Sequence, residues 1–391
     1  MVLTRRPIVI SVLGAGQILS WGSSYYLPAV LAKPTAQATG WPLSWVIGGL
    51  SVGILVSGVV SPRVGTLIER RGGRPVLAAS AILLAAGLLC LAAASSITMM
   101  ILAWIIIGAG MGAGLYDPAF ATLGRLYGRE ARTAITSLTL IGGFASTLAW
   151  PLSAWLLTRF GWRGTCAAYA VLNAGVALPL YWFGLPREQV REVSTAAARP
   201  ARPKSERTRR LAILAVLAAG LTLSSVIAVV VSVHVLTIFQ ALGLPLATAV
   251  ALGTLLGPCQ VGARVLDLLA GRFVHPMWEM LASTLIVAVG LRLVFAGGEA
   301  IIVGIVLYGG GIGLRSIVRG TLPLALFGAE GYASLIGRLA FPMLLAQAAA
   351  PSLGAVIIDR LGAHALVDAL FWAAIVNIAL ALMLLPLARR R

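Results

Sequence analysis

Long apolar runs, separated by short polar segments, dominate this chain of 391 residues. A bilayer has a hydrocarbon core of ~30 Å, which an α-helix crosses with ~20 residues, and the runs reach that length with few charges. The pattern predicts twelve membrane-spanning helices, at residues 8–32, 44–64, 75–95, 97–123, 133–158, 164–184, 211–239, 246–270, 277–296, 299–326, 333–358 and 364–387. The predicted fold class is therefore an all-α membrane protein with twelve transmembrane helices.

The two halves of the chain repeat at an offset of about 200 residues. The paired segments are Tyr127-Gly128-x-Glu130 with Phe327-Gly328-x-Glu330, Pro151 with Pro351, Arg159-Phe160-Gly161 with Arg360-Leu361-Gly362, and, more weakly, Glu69 and Gly73-Arg74 with Asp267 and Gly271-Arg272. A sustained offset of this kind predicts two pseudo-symmetric six-helix bundles, at 1–185 and 211–391, joined by a linker at 186–210.

Composition and charge placement agree with a membrane protein. Hydrophobic residues make up 59% of the chain and charged residues only 11%. The formal charge of +18 would suggest nucleic acid binding in a soluble domain. Here the basic residues lie in alternate loops and no base-stacking or basic-helix pattern accompanies them, so we expect no nucleic acid partner.

Basic residues cluster in the loops that are predicted to face the cytoplasm. They are Arg5, Arg6, Arg63, Arg70, Arg71, Arg74, Arg125, Arg129, Arg132 and Arg389 to Arg391, whereas the opposite loops hold little beyond Lys33, Arg159, Arg163 and Arg360. The linker 186–210 has eight basic residues among Pro and Ala and is predicted to be largely disordered. We therefore expect a multi-pass protein of the cell inner (plasma) membrane, with both termini cytoplasmic and the chain monomeric.

Several function classes are disfavoured by what the sequence lacks. Cys90, Cys166 and Cys259 stand singly in apolar runs, so neither a disulfide framework nor a metal site is predicted. The chain has no nucleophile–base pair and no phosphate-cradling Gly-x-x-x-x-Gly-Lys motif. We expect no cofactor, and the absence argues against a membrane enzyme and an ATP-driven pump.

A charged turn at 62–75 separates the second and third predicted spans. Its Gly65, Leu67, Glu69, Arg70, Gly73 and Arg74 spell Gly-x-Leu-x-Glu-Arg-x-x-Gly-Arg. The pattern resembles the loop signature between the second and third helices of the major facilitator superfamily, although an Asp usually stands at the Glu69 position and the Gly72-Gly73 pair is a further departure. The alternative is a solvated charge run at a membrane surface.

The resemblance implies a secondary transporter that works by alternating access, with a substrate site at mid-membrane between its two halves. It also implies a gating role for the charged turn at the cytoplasmic rim. Gly65 and Gly73 would allow close helix approach, and Glu69, Arg70 and Arg74 would latch one bundle against the other.

Asp117 is predicted to lie inside the fourth span, after the glycine stripe Gly108-x-Gly110-x-Gly112-x-Gly114. An ionisable group there costs at least ~2.5–3.5 kcal/mol on insertion scales, so it needs a reason. Asp117 can carry a coupled proton, or it can neutralise a nearby arginine. The sequence leaves both readings open.

Arg264 is predicted to lie inside the eighth span, one helical turn after Gln260 and on the same helix face. A guanidinium presents a planar fork that suits a substrate carboxylate. The alternative is a structural pair with Asp267. In the tenth span, Tyr308, Arg315 and Arg319 share a face, and the two arginines can make a cavity positive. The alternative for Arg319 is that it snorkels toward the cytoplasm or binds loop carbonyls.

Further motifs are similar to the monocarboxylate-transporter branch of the superfamily. They are Trp21-Gly22 with Lys33-Pro34 and Gly40-Trp41, the run Gly161-Trp162-Arg163-Gly164, Tyr116, and Gln260-x-x-x-Arg264. The branch implies that Arg264 holds a carboxylate, with a polar residue one turn earlier and an aromatic hydroxyl in the fourth span. That polar residue is commonly Asp or Asn, so Gln260 is a departure.

These observations favour proton-coupled transport of a small organic anion such as a monocarboxylate. Arg264, Gln260, Tyr116, Arg315 and Trp21 are the predicted substrate-binding residues, and Asp117 is the predicted proton carrier. The expected partners are an anionic small molecule, protons and membrane lipid. The alternatives are proton-antiport efflux of a hydrophobic drug or metabolite, and a transport-inactive membrane receptor.

Overall fold

The computed structural model describes residues 6–188 and 204–389, which form helices and turns without any strand. Its α-helices are α1 (Arg6–Ser23), α2 (Leu27–Thr39), α3 (Leu43–Arg71), α4 (Gly73–Ala93), α5 (Ile97–Gly114), α6 (Tyr116–Tyr127), α7 (Ala131–Gly142), α8 (Ala145–Leu172), α9 (Leu178–Gly184), α10 (Lys204–Ala241), α11 (Leu246–Thr254), α12 (Leu256–Ala270), α13 (Pro276–Ala296), α14 (Ala300–Phe327), α15 (Tyr332–Leu361) and α16 (Ala363–Arg389). A π-helical segment, Asn173–Ala177, joins α8 to α9.

Within the described ranges, nine helical segments are long and apolar enough to cross a membrane. Eight of them match one predicted span each, and Leu246–Ala270 has the predicted bounds. The ninth, Ile97–Gly184, covers three predicted spans, the last two of which are separated at Gly161. Gly161 has a φ of 66°, which glycine adopts at little cost. The first predicted span corresponds to α1 and α2, so the all-α membrane fold is confirmed and the segments are consistent with twelve spans.

One compact unit comprises Met1–Val193 and Phe327–Ala348. Its apolar core includes Leu84, Leu88 and Ile107, all fully buried. A buried polar pair also links its first and sixth predicted spans, because Asn173 Nδ2 donates to Ser23 Oγ at 3.0 Å.

The second compact unit comprises Ser194–Leu326 and Ala349–Arg391. Its core includes Leu291 and Leu370. Here Asn377 Nδ2 donates to Ser224 Oγ at 2.7 Å, again between the first and last spans of a predicted six-helix half. The same buried pair therefore occurs in each unit, as an internal repeat requires.

The predicted domain boundaries at 185 and 211 stay a prediction. Residues 189–203 of the linker lie outside the described residues, as do Arg5 and the last two arginines. The described end of the linker differs from the expectation of disorder, because α10 already begins at Lys204. Helix α15 contributes to both units, since the division falls between Ala348 and Ala349.

Candidate functional site

The fourth predicted span is interrupted at Leu115. Helix α5 ends at Gly114, Leu115 is extended with φ −78° and ψ −158°, and α6 begins at Tyr116. Pro118 explains the break, because it has no N–H to donate to the carbonyl of Gly114 four residues earlier. A buried carbonyl without a partner is costly. Gln17 of α1 supplies the missing donor, with its Nε2 at 2.7 Å from Gly114 O and 3.4 Å from Leu115 O.

The other end of the Gln17 amide orients an aromatic side chain. Its Oε1 accepts a hydrogen bond from Trp21 Nε1 at 3.0 Å. The Trp21 ring lies 5.1 Å from the ring of Tyr116, between centroids. These rings belong to an aromatic cluster within the first unit, formed by Trp21, Tyr25, Tyr26, Tyr116, Phe120 and Trp150. Two predicted substrate-binding residues, Trp21 and Tyr116, are thus in contact.

Asp117 lies in the first turn of α6 and is 8% exposed. The N-terminal end of a helix has partial positive charge that suits a carboxylate. The carboxylate is also close enough to Tyr332, at the start of α15, to interact with it electrostatically. The break at Leu115 therefore places Asp117 next to the aromatic cluster and at a helix end, a position that hydropathy alone does not reveal.

Arg264 is buried in α12, with 6% of its surface exposed. Its Nε donates to Ser316 Oγ at 3.0 Å, and that hydroxyl donates to Gly313 O at 2.6 Å. Gly313 is essential to this arrangement, because a Cβ there would lie 3.0 Å from Gln260 Cα. The close approach of α14 to α12 thus places Ser316 against Arg264. The second predicted residue, Gln260, lies one turn earlier and is half-buried.

Arg315 also contacts a serine of its own unit. Its Nη1 donates to Ser225 Oγ of α10 at 3.1 Å. Arg319 is half-buried one turn later on α14, and Tyr308 is 4% exposed. A serine hydroxyl can accept a hydrogen bond from a guanidinium and so orient it. His234 of α10 is buried, and its Nε2 lies 3.0 Å from the carbonyl oxygen of Pro351 in α15.

The charged turn of the first unit joins α3 to α4 through Gly72, whose φ is 84°. Glu69, near the end of α3, accepts a hydrogen bond from Ala333 N at 3.2 Å through Oε2. Ala333 is in the first turn of α15, where backbone N–H groups lack partners within the helix. Glu69 therefore caps α15.

Gly65 allows α3 to approach α15 closely. A Cβ at Gly65 would lie 3.0 Å from Gly337 Cα, and a Cβ at Gly337 would lie 3.1 Å from Gly65 Cα. The two glycines meet one helical turn from the bond between Glu69 and Ala333. Close packing and the cap therefore form one contact between α3 and the first part of α15.

Two residues that the sequence did not single out complete the charged turn. Arg125, in the last turn of α6, forms an ion pair with Glu188 and donates through Nη1 to the carbonyls of Ile68 and Glu69. Glu188 Oε1 also accepts from Gly73 N at 2.9 Å. From the sequence alone, Arg125 contributes only to the predicted topology, and Glu188 falls in a linker predicted to be largely disordered. No local sequence motif indicates that Arg125 and Glu188 interact, because their partners are far away along the chain.

Burial raises the pKa of Glu188 above its ordinary value. The Gly73 amide and the Arg125 guanidinium act in the opposite direction but do not cancel the effect of burial, and the nearby Glu69 adds to it.

Within the described part of the chain, the predicted gating residues Arg70 and Arg74 do not take part in the contact between α3 and α15. The Arg74 guanidinium lies over the Trp182 ring at 4.5 Å, and Arg70 is exposed.

A sequence model of the Major Facilitator Superfamily matches residues 12–296. The chain belongs to this superfamily. The match confirms the resemblance that was inferred from the charged turn.

Similar proteins of known name agree with the superfamily. Monocarboxylate transporter 13 of Bos taurus is 31% identical over 146 residues, which make up 37% of this chain and 32% of that relative. The chain therefore spans about a third of the length of the curated relative it matches.

Two solved superfamily structures share the fold. The human organic anion transporter MFSD10 (TETRAN) matches with a TM-score of 0.77 at 17% identity, over 96% of this chain and 99% of that one. The proton:xylose symporter XylE bound to 6-bromo-6-deoxy-D-glucose matches with a TM-score of 0.71 at 13% identity, over 98% and 94%. At these identities the likeness establishes the fold.

Proposed function

We propose that this superfamily member is a secondary transporter that moves a small organic anion of the monocarboxylate class, coupled to protons, by alternating access. The observation that carries the proposal is Arg264, a buried arginine within a membrane-spanning helix. Such a residue is costly and marks a functional position by default. The names of the relatives, a monocarboxylate transporter and an organic anion transporter, support an anionic substrate.

Arg264 has the role of binding the substrate carboxylate. Ser316 accepts a hydrogen bond from its Nε, which orients the planar guanidinium. A carboxylate is the natural partner of that fork, since the two can form parallel charge-assisted hydrogen bonds. Gln260 has the role of a neutral donor one turn away, and Arg315 adds positive charge in the same unit.

Trp21 and Tyr116 have the role of contacting the organic part of the substrate. Their rings are already in contact within the aromatic cluster, and Gln17 holds Trp21 in place. Aromatic faces bind apolar carbon groups, while the Tyr116 hydroxyl can still donate to a polar atom.

Asp117 has the role of the coupled proton carrier. It is buried at a point where the helix is interrupted, and carboxylates inside membrane spans commonly serve as proton relays. Discontinuous spans are also where secondary transporters place substrate and coupling-ion sites. The Gln17 amide keeps the interrupted backbone satisfied whether or not Asp117 is protonated.

The charged turn has the role of a gate at the cytoplasmic rim. Gly65, Gly73, Glu69, Arg70 and Arg74 are the assigned residues. Support comes from the cap that Glu69 places on α15, because transport that separates α3 from the first part of α15 must break it. Arg125 and Glu188 stabilise the same turn from α6 and from residues after α9.

We place the protein in the cell inner membrane as a monomer, with both termini cytoplasmic. The basic loops that include Arg70, Arg74 and Arg125 support this orientation through the positive-inside rule.

Uptake by reconstituted protein tests the proposal. Vesicles containing the protein should accumulate radiolabelled small monocarboxylates when an inward proton gradient is imposed. Arg264→Lys should weaken substrate affinity by about ten-fold, because lysine keeps the charge but loses the planar fork. Arg292→Lys, at an exposed arginine of α13, is the matched control. Full affinity in Arg264→Lys would overturn the assignment.

Proton-antiport efflux of a hydrophobic compound is the second candidate, and the aromatic cluster is the observation that favours it. Six aromatic side chains in contact suit a lipophilic solute as well as an organic acid. Cells expressing the protein should then exclude lipophilic dyes, and Trp21→Ala should abolish exclusion while Arg264→Lys leaves it unchanged. Arg264→Lys therefore separates the two functions, because Trp21 is assigned to both.

A further inference from the structure

We propose that the first unit binds an anionic phospholipid in an apolar groove between α4 and α9, with Arg74 holding the phosphate. The groove has a volume of about 420 Å³ and is lined by Pro75, Ala78, Ala79, Ile82, Leu178, Pro179, Trp182 and Phe183. Volumes of this size hold small organic ligands in other proteins. The walls are the i, i+3, i+4 and i+7 face of α4 and one face of α9.

The residue types explain why space exists there. Pro75, Ala78 and Ala79 are small, so the first turns of α4 leave a depression beside the large rings of Trp182 and Phe183. The outer lip is open, because Ile82 is 54% exposed and Phe183 is 82% exposed. In a membrane-spanning unit these apolar side chains face hydrocarbon, so the occupant that enters the groove is an acyl chain.

Arg74 gives the groove a charged end. It directly precedes the lining residue Pro75, and its guanidinium lies over the ring of Trp182, which is itself a lining residue. The Arg74 Nε is buried and has no hydrogen-bond partner among the described residues. A buried donor without a partner costs free energy, and a phosphate oxygen would satisfy it.

The charge around this end favours an anionic lipid over a zwitterionic one. Arg70 and Arg71 are exposed in the last turn of α3, and Arg187 is exposed three residues after α9 ends. The nearby acidic groups are already engaged, Glu188 by Arg125 and the Gly73 amide, and Glu69 by the Ala333 amide. Basic residues near a membrane surface attract anionic lipid.

Native mass spectrometry of the detergent-purified full chain tests the proposal. The protein is incubated with phosphatidylglycerol or with phosphatidylcholine of identical acyl chains, and the fraction that retains one lipid is measured. We expect the wild type to retain phosphatidylglycerol about five-fold better than phosphatidylcholine. Inorganic phosphate in excess should not displace the lipid, because the acyl chain contributes to binding.

Two variants with matched controls locate the site. Ala79→Trp fills the groove, whereas Ala86→Trp adds the same bulk at an exposed position outside the lining residues. Arg74→Gln removes the guanidinium over Trp182, whereas Arg71→Gln removes an exposed charge from the same turn. Both groove variants should lose most of the preference for phosphatidylglycerol, and both controls should keep it within about two-fold.

Lipid-free melting temperatures check that each variant is folded, and Ala79→Leu replaces Ala79→Trp if the larger side chain prevents folding. The proposal is overturned if the folded groove variants retain phosphatidylglycerol like the wild type. It is equally overturned if phosphatidylcholine binds as well as phosphatidylglycerol, or if inorganic phosphate displaces the lipid.

Discussion

Asn377 donates a hydrogen bond from Nδ2 to Ser224 Oγ over 2.7 Å, between α16 and α10. The pair Asn173 and Ser23 makes the same bond in the first unit, and the Oδ1 atoms of both asparagines are buried without a hydrogen-bond partner among the described residues. Repetition of so specific a polar contact in an apolar core indicates that both units need it to align their first and last spans.

We predict that Asn173→Ala and Asn377→Ala destabilise the protein by similar amounts. Each removes a buried hydrogen bond worth ~0.5–1.5 kcal/mol and leaves the oxygen of a serine without its donor. Melting temperatures of the purified variants measure the effect, with Gln37→Ala at an exposed position of α2 as the control. A loss confined to one of the two asparagines would contradict equivalent roles.

We predict that Gln17→Leu lowers the free energy of unfolding by about 1–3 kcal/mol, because the carbonyl of Gly114 loses its donor. Pro118→Ala restores a backbone N–H at the position where a continuous helix would supply one. The double variant should therefore be more stable than Gln17→Leu alone, and thermal unfolding of the set measures this coupling. Gln37→Leu controls for the change in side chain, and strict additivity would contradict the assigned role of Gln17.

We predict that Glu69→Ala slows transport by about ten-fold while substrate affinity stays within a few-fold. The carboxylate caps α15 and, as proposed, times the gate without touching the cargo. Ala333→Pro removes the donor instead of the acceptor, and proline is tolerated in the first turn of a helix. Initial uptake rates and equilibrium binding separate the two effects.

If the bond between Glu69 and Ala333 matters, the two single variants and the double variant should have similar rates. Glu206→Ala, at an exposed glutamate of α10, is the control. Abolished substrate binding in Glu69→Ala would refute a purely gating role.

We predict a pH-dependent difference in stability between the wild type and Glu188→Gln. Burial raises the pKa of Glu188, so the folded protein holds its proton at pH values where the unfolded chain has released it. The contribution to stability is therefore fully present below the ordinary glutamate pKa and is lost as the pH rises through the folded pKa.

Melting temperatures measured from pH 4 upward, about the ordinary glutamate value, test this dependence. The wild type should lose stability relative to Glu188→Gln as the pH rises through that window. Glu206→Gln should show no such trend. A wild type that gains stability relative to Glu188→Gln over the same range would show that the ion pair with Arg125 dominates burial.

The sequence predicted the spans well because hydropathy depends on local composition alone. The bounds 246–270 and the separation at Gly161 are examples. The sequence also predicts both Trp21 and Tyr116 as substrate-binding residues, and the structure places their rings in contact. The interruption of the fourth span at Leu115 was harder to foresee, because hydropathy stays high across it.

What the sequence could not supply were partners distant along the chain. The sequence assigns Gln17 no acceptor, and its bond to Gly114 exists only because α1 and α5 pack together. Glu188 lies at the start of a low-complexity basic segment, where composition predicts disorder. Its order comes from Arg125 and the Gly73 amide, which no local pattern can indicate.

The extended residue Leu115 resets the rotational phase of the fourth span. A helical wheel that treats the span from Gly108 to Asp117 as one continuous helix turns by a constant angle of about 100° per residue. That constant rotation does not hold at Leu115, which is extended. Residues after the break follow a new angular origin set by Tyr116. Cysteine-accessibility scans across this span should therefore be fitted as two independent periodicities, and a single 3.6-residue fit should lose its phase at residue 115.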